Sequence, residues 1–193
     1  MKKITLFFLM ITSFSSCVYF LYPITENDAD LVFEKRLLGK WQMSPESEKY
    51  IVDTTAISGN LKYDILHISN DFVDTIYLTG KTMKIENELY IDCELNKKFS
   101  DDIREAAAYM VLPVHIFYKI RFLDNNSFIL SSFDTDKLRE INQKNKLNFN
   151  TAILPDSSDV LILDHSKDLQ LKLRQLNKFP EAFVNDTLRR VMN

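Results

Sequence analysis

The chain reads as mainly β with added helices (α+β), an antiparallel meander that forms a barrel or a sandwich. Three observations carry that expectation. Between Gly39 and Leu95, short runs rich in Val, Ile, Thr and Tyr recur with turn residues about ten positions apart, which is the spacing of a meander. The clearest run alternates strictly, with Leu89, Ile91, Cys93 and Leu95 on one face and Tyr90, Asp92 and Glu94 on the other. Helical spacing marks segments near 100 and 135 and the C-terminal part, which places a short helix mid-chain and helices packed outside the sheet.

At the N-terminus, Lys2 and Lys3 precede an uncharged apolar run from Ile4 to Ile24, with Ser13, Ser15 and Ser16 ahead of Cys17. A basic start, an apolar stretch over Ile4 to Ile11 and small residues after it read as a secretory signal. The whole run is about 21 residues, also long enough to cross a bilayer uncut. With Lys2 and Lys3 at its start, the remainder would then lie outside the cytoplasm. Residues 1–24 are therefore expected to be a signal peptide or a signal anchor plus tether, and 25–193 a single β-rich domain.

Within that domain, Leu31, Lys35 and Leu38 share a helical face that Gly39 would end. Strands are expected at Lys40–Met43, Lys49–Thr54, Leu61–Ile68, Phe72–Leu78, Thr82–Ile85 and Glu88–Leu95. Turns fall at Ser58-Gly59-Asn60, Ser69-Asn70-Asp71, Thr79-Gly80-Lys81 and Glu86-Asn87. Ser100 caps a helix that runs to Leu112 and stops at Pro113. Strands Val114–Leu123 and Ser127–Phe133 flank Asp124-Asn125-Asn126, a hairpin turn because Asn and Asp tolerate left-handed backbone. A polar helix follows over Thr135–Lys146, then strands Asn148–Leu154 and Asp159–Leu163 around Pro155-Asp156-Ser157-Ser158. Leu169, Leu173 and Leu176 form the stripe of a helix capped by Asp164 and Ser166. Pro180 opens a last helix with Val184, Leu188 and Val191 on one face.

Two short segments resemble known families. Phe14-Ser15-Ser16-Cys17 resembles the lipobox of bacterial lipoproteins, which implies that Cys17 is lipidated after cleavage and becomes the mature N-terminus. Leu37-Leu38-Gly39-Lys40-Trp41-Gln42 resembles the Gly-x-Trp start of lipocalin-like barrels. That likeness implies a Trp41 that closes the barrel's bottom, a short helix before it and a later helix on the wall. A Gly-Lys-Trp start after a lipobox is also similar to small bacterial envelope lipoproteins of unassigned function.

Composition narrows the function. Apolar content of 46% and charged content of 26% are ordinary globular values. Net charge is −3, and removal of Lys2 and Lys3 from 24 basic residues leaves 22 against 27 acidic ones, or −5. Such a chain has no electrostatic footprint for nucleic acid. Its three glycines, Gly39, Gly59 and Gly80, are too dispersed for a phosphate-cradling loop. If Cys17 carries lipid, Cys93 has no disulfide partner, and on its apolar face without a basic neighbour it reads as a small core residue.

The remaining candidates for chemistry are sparse. His67, His115 and His165 lie nearly fifty residues apart with no second ligand at short spacing, so no metal is expected. Asp134 and Asp136 begin like a calcium loop but lack its later ligands, and suit a helix cap better. Asp156-Ser157-Ser158-Asp159 is turn composition, and no nucleophile elbow exists. His115, Phe117, Lys119 and Arg121 share one strand face, a solvated outer surface unless the sheet closes around it, in which case Lys119 and Arg121 would suit an anionic head group.

The chain thus reads as a non-enzymatic protein of the bacterial cell envelope, anchored to a membrane and facing the periplasm or exterior. It would bind a small apolar ligand or another envelope protein, with no cofactor. The alternatives are an accessory subunit that docks through its C-terminal helices, and an enzyme with a site assembled from dispersed acidic, His and Tyr residues.

Overall fold

The structure, a computed structural model, describes residues 17–44, 49–57, 60–68, 75–95, 114–144, 146–153 and 159–191. The expected helix at 100–112 and the turns at 58–59, 69–71 and 155–158 lie outside these residues, as does the segment before Cys17.

Eight antiparallel strands close into a barrel: β2 (Gly39–Gln42), β3 (Lys49–Ile57), β4 (Asn60–Ile68), β5 (Thr75–Ile85), β6 (Glu88–Leu95), β7 (His115–Phe122), β8 (Ser127–Phe133) and β11 (Phe183–Arg190). From β2 to β8 each strand pairs with the next in sequence, and β11 joins β8 to β2. The barrel alternative therefore holds over the sandwich, and closure removes the unpaired edges that a sandwich would keep. The hairpin between β7 and β8 turns where predicted, with Asp124 Oδ1 accepting from the Asn126 amide at 2.7 Å. That bond holds the Asp124 carboxyl below the usual carboxylate range.

The period of two sorts the side chains into two cores. Inward positions supply one, with Trp41, Tyr63, Ile65, Leu89, Ile91, Cys93, Ile120, Phe128 and Leu188. Outward positions Met83, Ile85, Tyr90 and Phe117 belong to a second core, which covers one side of the barrel. Its other half comes from β1 (Val18–Phe20), α1 (Thr135–Gln143), β10 (Val160–Ile162) and α2 (Ser166–Leu176), while β9 (Thr151–Ile153) pairs with β10 without joining the core. Leu169, Leu173 and Leu176 of α2 are fully buried there, so this helix packs on the barrel wall as its stripe predicts. Asp134 caps α1 by accepting from the Lys137 amide at 2.9 Å. Ser166 instead donates to Pro23 O at 2.7 Å, and Asp164 accepts from Lys172 at 2.6 Å, so both tie α2 to its neighbours rather than cap it.

Three further expectations change. Gly80 is not a turn: β5 runs unbroken through it, and a Cβ there would meet Ile65 Cδ1 at 2.8 Å and Ile91 Cδ1 at 3.0 Å, so it is the gap that lets two isoleucines meet inside the barrel. The segment after Pro180 is not a helix beyond one 3₁₀ turn but strand β11, seven residues of which pair with β8. The helix expected over 31–38 is reduced to a 3₁₀ turn at Lys35–Leu37. Residues upstream of Thr25 also pack into the outer core. Val18 is 5% exposed and Phe20 and Ile24 are buried, with Phe20 stacked on Phe117 at 4.0 Å between ring centroids.

Candidate functional site

One end of the barrel is sealed. Trp41 donates from Nε1 to Leu37 O at 2.7 Å and meets the Phe128 ring edge-on at 4.7 Å. The Arg190 guanidinium lies over Trp41 at 4.3 Å and donates to Leu38 O at 2.7 Å and Arg36 O at 2.9 Å. Gly39 has φ +127, and a Cβ on it would collide with Arg190 Nη1, so a glycine is required where the guanidinium crosses. Tyr63 completes the plug by accepting from the Glu34 amide at 2.7 Å, and burial pushes its phenol up.

Above this plug the interior is not filled. A cavity of about 100 Å³ is lined by Trp41, Ile65, Ile91, Cys93, Ile120 and Leu188, with Tyr50, His67, Tyr118 and Leu130 at its upper part. His67 stacks flat on Tyr50, with ring centroids 4.6 Å apart and planes 5° apart. Cys93 is 4% exposed, and burial pushes its thiol well up, so it is held as a neutral wall group.

Near the other end the wall itself parts. The ladder between β7 and β8 runs from Phe122↔Phe128 only to Lys119↔Ser131. Beyond that point β8 stays with β11, pairing Phe133 with Phe183, while β7 stays with β6 and its free side takes β1 at Phe20↔His115. Strand β1 then leads away to β10, its parallel partner, and on to β9. The gap holds a second cavity of about 350 Å³, lined by Ile116, Phe117 and Tyr118 of β7, Leu130, Ser132 and Phe133 of β8, Asp186 of the neighbouring β11, and Met43 and Tyr50. Cys17 and Val18 form its outer rim. Tyr50, Tyr118 and Leu130 line both cavities and so stand between them.

Of the residues singled out in the sequence, Cys17 is exposed, with its amide donating to Asp159 Oδ1 at 2.6 Å. The three histidines do not converge. His67 lies inside the barrel, His165 stacks on Tyr22 at 3.9 Å before α2, and His115 sits on the outer wall. There His115 Nδ1 is 2.7 Å from Asp92 Oδ1, while Asp92 Oδ2 accepts from the Ile24 amide at 3.0 Å. This acid–histidine pair pins the N-terminal segment and lines neither cavity. The face that carries Lys119 and Arg121 is the outer one, so the sheet does not close around it. Lys119 lies over the Phe183 ring at 4.1 Å, its ammonium pushed down by burial, and Arg121 is exposed. Among the described residues, no three His, Cys, Asp or Glu side chains gather as a metal site would need, and no helix is long and apolar enough to cross a membrane.

Sequence reasoning missed Asp186, Ser132 and Arg190. Asp186 is flanked at even spacing by Val184 and Leu188, a strand signal that is also met at helical spacing. No family model matches the chain, nor does any curated protein or solved structure.

Proposed function

We propose that this protein is a membrane-tethered binding protein of the bacterial envelope whose barrel takes a small apolar ligand. The observation that carries the reading is the apolar inner cavity that continues into the gap between β7 and β8. A fully packed eight-stranded barrel has no such space, and a barrel of this size has room for one small ligand at most. The ligand's bulk sits in the gap, whose volume is that of an ordinary small-molecule site, and one end reaches the inner cavity.

The tether is Cys17. An uncut anchor would need the whole run Ile4–Ile24 as a helix of about 21 residues. From Val18 onward that run is strand and core, which leaves about 13 residues before Cys17, the length of a signal peptide's apolar region and too few for a span. This supports cleavage and lipidation at Cys17. The docking alternative asked for an exposed stripe on the C-terminal helix, and the burial of Leu169, Leu173 and Leu176 removes its support.

Two measurements test the reading. Mass spectrometry of the membrane fraction is expected to find the chain starting at Cys17 with acyl groups, and Cys17→Ser at full precursor mass without them. Native mass spectrometry with fluorescence displacement is expected to find one saturable site for small apolar probes, lost in Leu130→Trp, which fills the space between the cavities. Saturable binding that is unchanged in Leu130→Trp would refute the site.

A further inference from the structure

The lining of the gap carries one charged side chain set among aromatic rings. Asp186 lies on the inward face of β11 opposite Leu130 of β8, at the level where the gap meets the inner cavity. It is half-buried, and no hydrogen bond or ion pair reaches its carboxylate from the described residues. Its neighbours around the same space are the rings of Tyr50, Tyr118, Phe117 and Phe133. The basic side chain on the cavity walls is His67, and its ring is engaged face to face with Tyr50.

A carboxylate withdrawn from water without a partner is unfavourable, and such groups are found paired with a cation or a donor. Aromatic faces attract the same sign of charge, and more strongly where water is excluded. A half-buried acid that shares a cavity lining with four aromatic rings is therefore complementary to a cation whose own surface is apolar. A ligand carboxylate in that place would set two negative charges side by side and be disfavoured.

We propose, on the basis of the binding function above, that the cavity selects apolar molecules bearing an ammonium group, with Asp186 and the rings of Tyr50 and Tyr118 as its specificity determinants. The ammonium sits beside Asp186, where the gap meets the inner cavity, and the apolar body fills the gap between β7 and β8. Ser132, also on the wall, accepts from a primary or secondary ammonium.

Titration calorimetry of the full-length protein with hexyltrimethylammonium, hexanol and hexanoate, which share one tail, separates this proposal from the one it rests on. The ammonium compound is expected to bind about tenfold or more tighter than the alcohol, with hexanoate weakest. Asp186→Asn is expected to erase that preference, while Asp186→Glu keeps it. Tyr118→Leu should weaken the ammonium compound more than the alcohol. Equal binding of all three overturns the ammonium proposal and leaves the apolar site standing, as does a preference that survives Asp186→Asn; no binding of any overturns both. A choline-headed single-chain lipid, added as a fourth ligand, identifies the source. If it binds tighter than hexyltrimethylammonium, the ammonium belongs to a lipid head group, and if weaker, to a free amine; either supports the proposal.

Discussion

Trp41 is fixed by a carbonyl, a guanidinium and a ring edge at once, so its removal leaves Leu37 O without its donor and Arg190 without its platform. Trp41→Ala is expected to destabilise the protein by about 3 to 5 kcal/mol, read from the shift of a urea unfolding curve. A loss well under about 1 kcal/mol would mean that the plug does not depend on it. Cys93 offers a second test at this scale. Burial keeps its thiol protonated, so alkylation of the native protein at Cys93 is expected to be far slower than in denaturant, by mass spectrometry of the labelled peptide. Both residues were legible in the sequence, Cys93 from the alternation of its strand and Trp41 as the large aromatic of a β core. Asp186 was not, because its role depends on which face of β11 turns inward. His67 and Tyr50 were not legible as a pair, since their contact arises from the register of β3 on β4, where each is the other's direct partner.

Strand β1 contributes three residues, yet it carries a fully buried phenylalanine and closes the outer core over β7. A chain that starts at Thr25 lacks that strand and leaves Phe117 uncovered. It is expected to unfold at lower urea than one that starts at Cys17, and Phe20→Ala in the longer chain to account for about 3 to 5 kcal/mol of the difference. Equal midpoints for the two chains would show that β1 is an ornament. Composition hid this strand because an apolar run behind two lysines looks the same whether it is headed for a bilayer or for a core. The other misread elements have equally physical causes. Val184 and Leu188 are four residues apart, a spacing that places side chains on one face of a helix and also on one face of a strand, so periodicity alone could not separate the two. Pro180 tipped the reading toward a helix start, and in the structure it opens only a 3₁₀ turn. Gly80 looked like a turn because the sequence does not reveal that its missing side chain makes room for Ile65 and Ile91. The strands that alternate cleanly, β6 above all, were placed to the residue.

At the scale of the whole molecule, the two cores share the walls of β6 and β7, with Leu89, Ile91 and Cys93 facing one and Tyr90 and Phe117 the other. Neither core can be dismantled without stripping a face from the strands that support its neighbour. Urea unfolding is therefore expected to be a single transition. The fluorescence of Trp41, the chain's one tryptophan and a reporter of the inner core, should coincide with far-UV circular dichroism, which reports on both. Separate midpoints would show that the outer layer melts on its own. The early burial of Val18 has one more consequence, a mechanical one. No slack chain separates Cys17 from the folded strand, since Val18 already pairs with Val160 and the Cys17 amide is bonded to Asp159. Any tension applied at Cys17 is borne at once by the three-residue parallel ladder to β10 and the single pairing to β7. Both seams are short, so pulling peels β1 first and unroofs Phe117 at the edge of the gap.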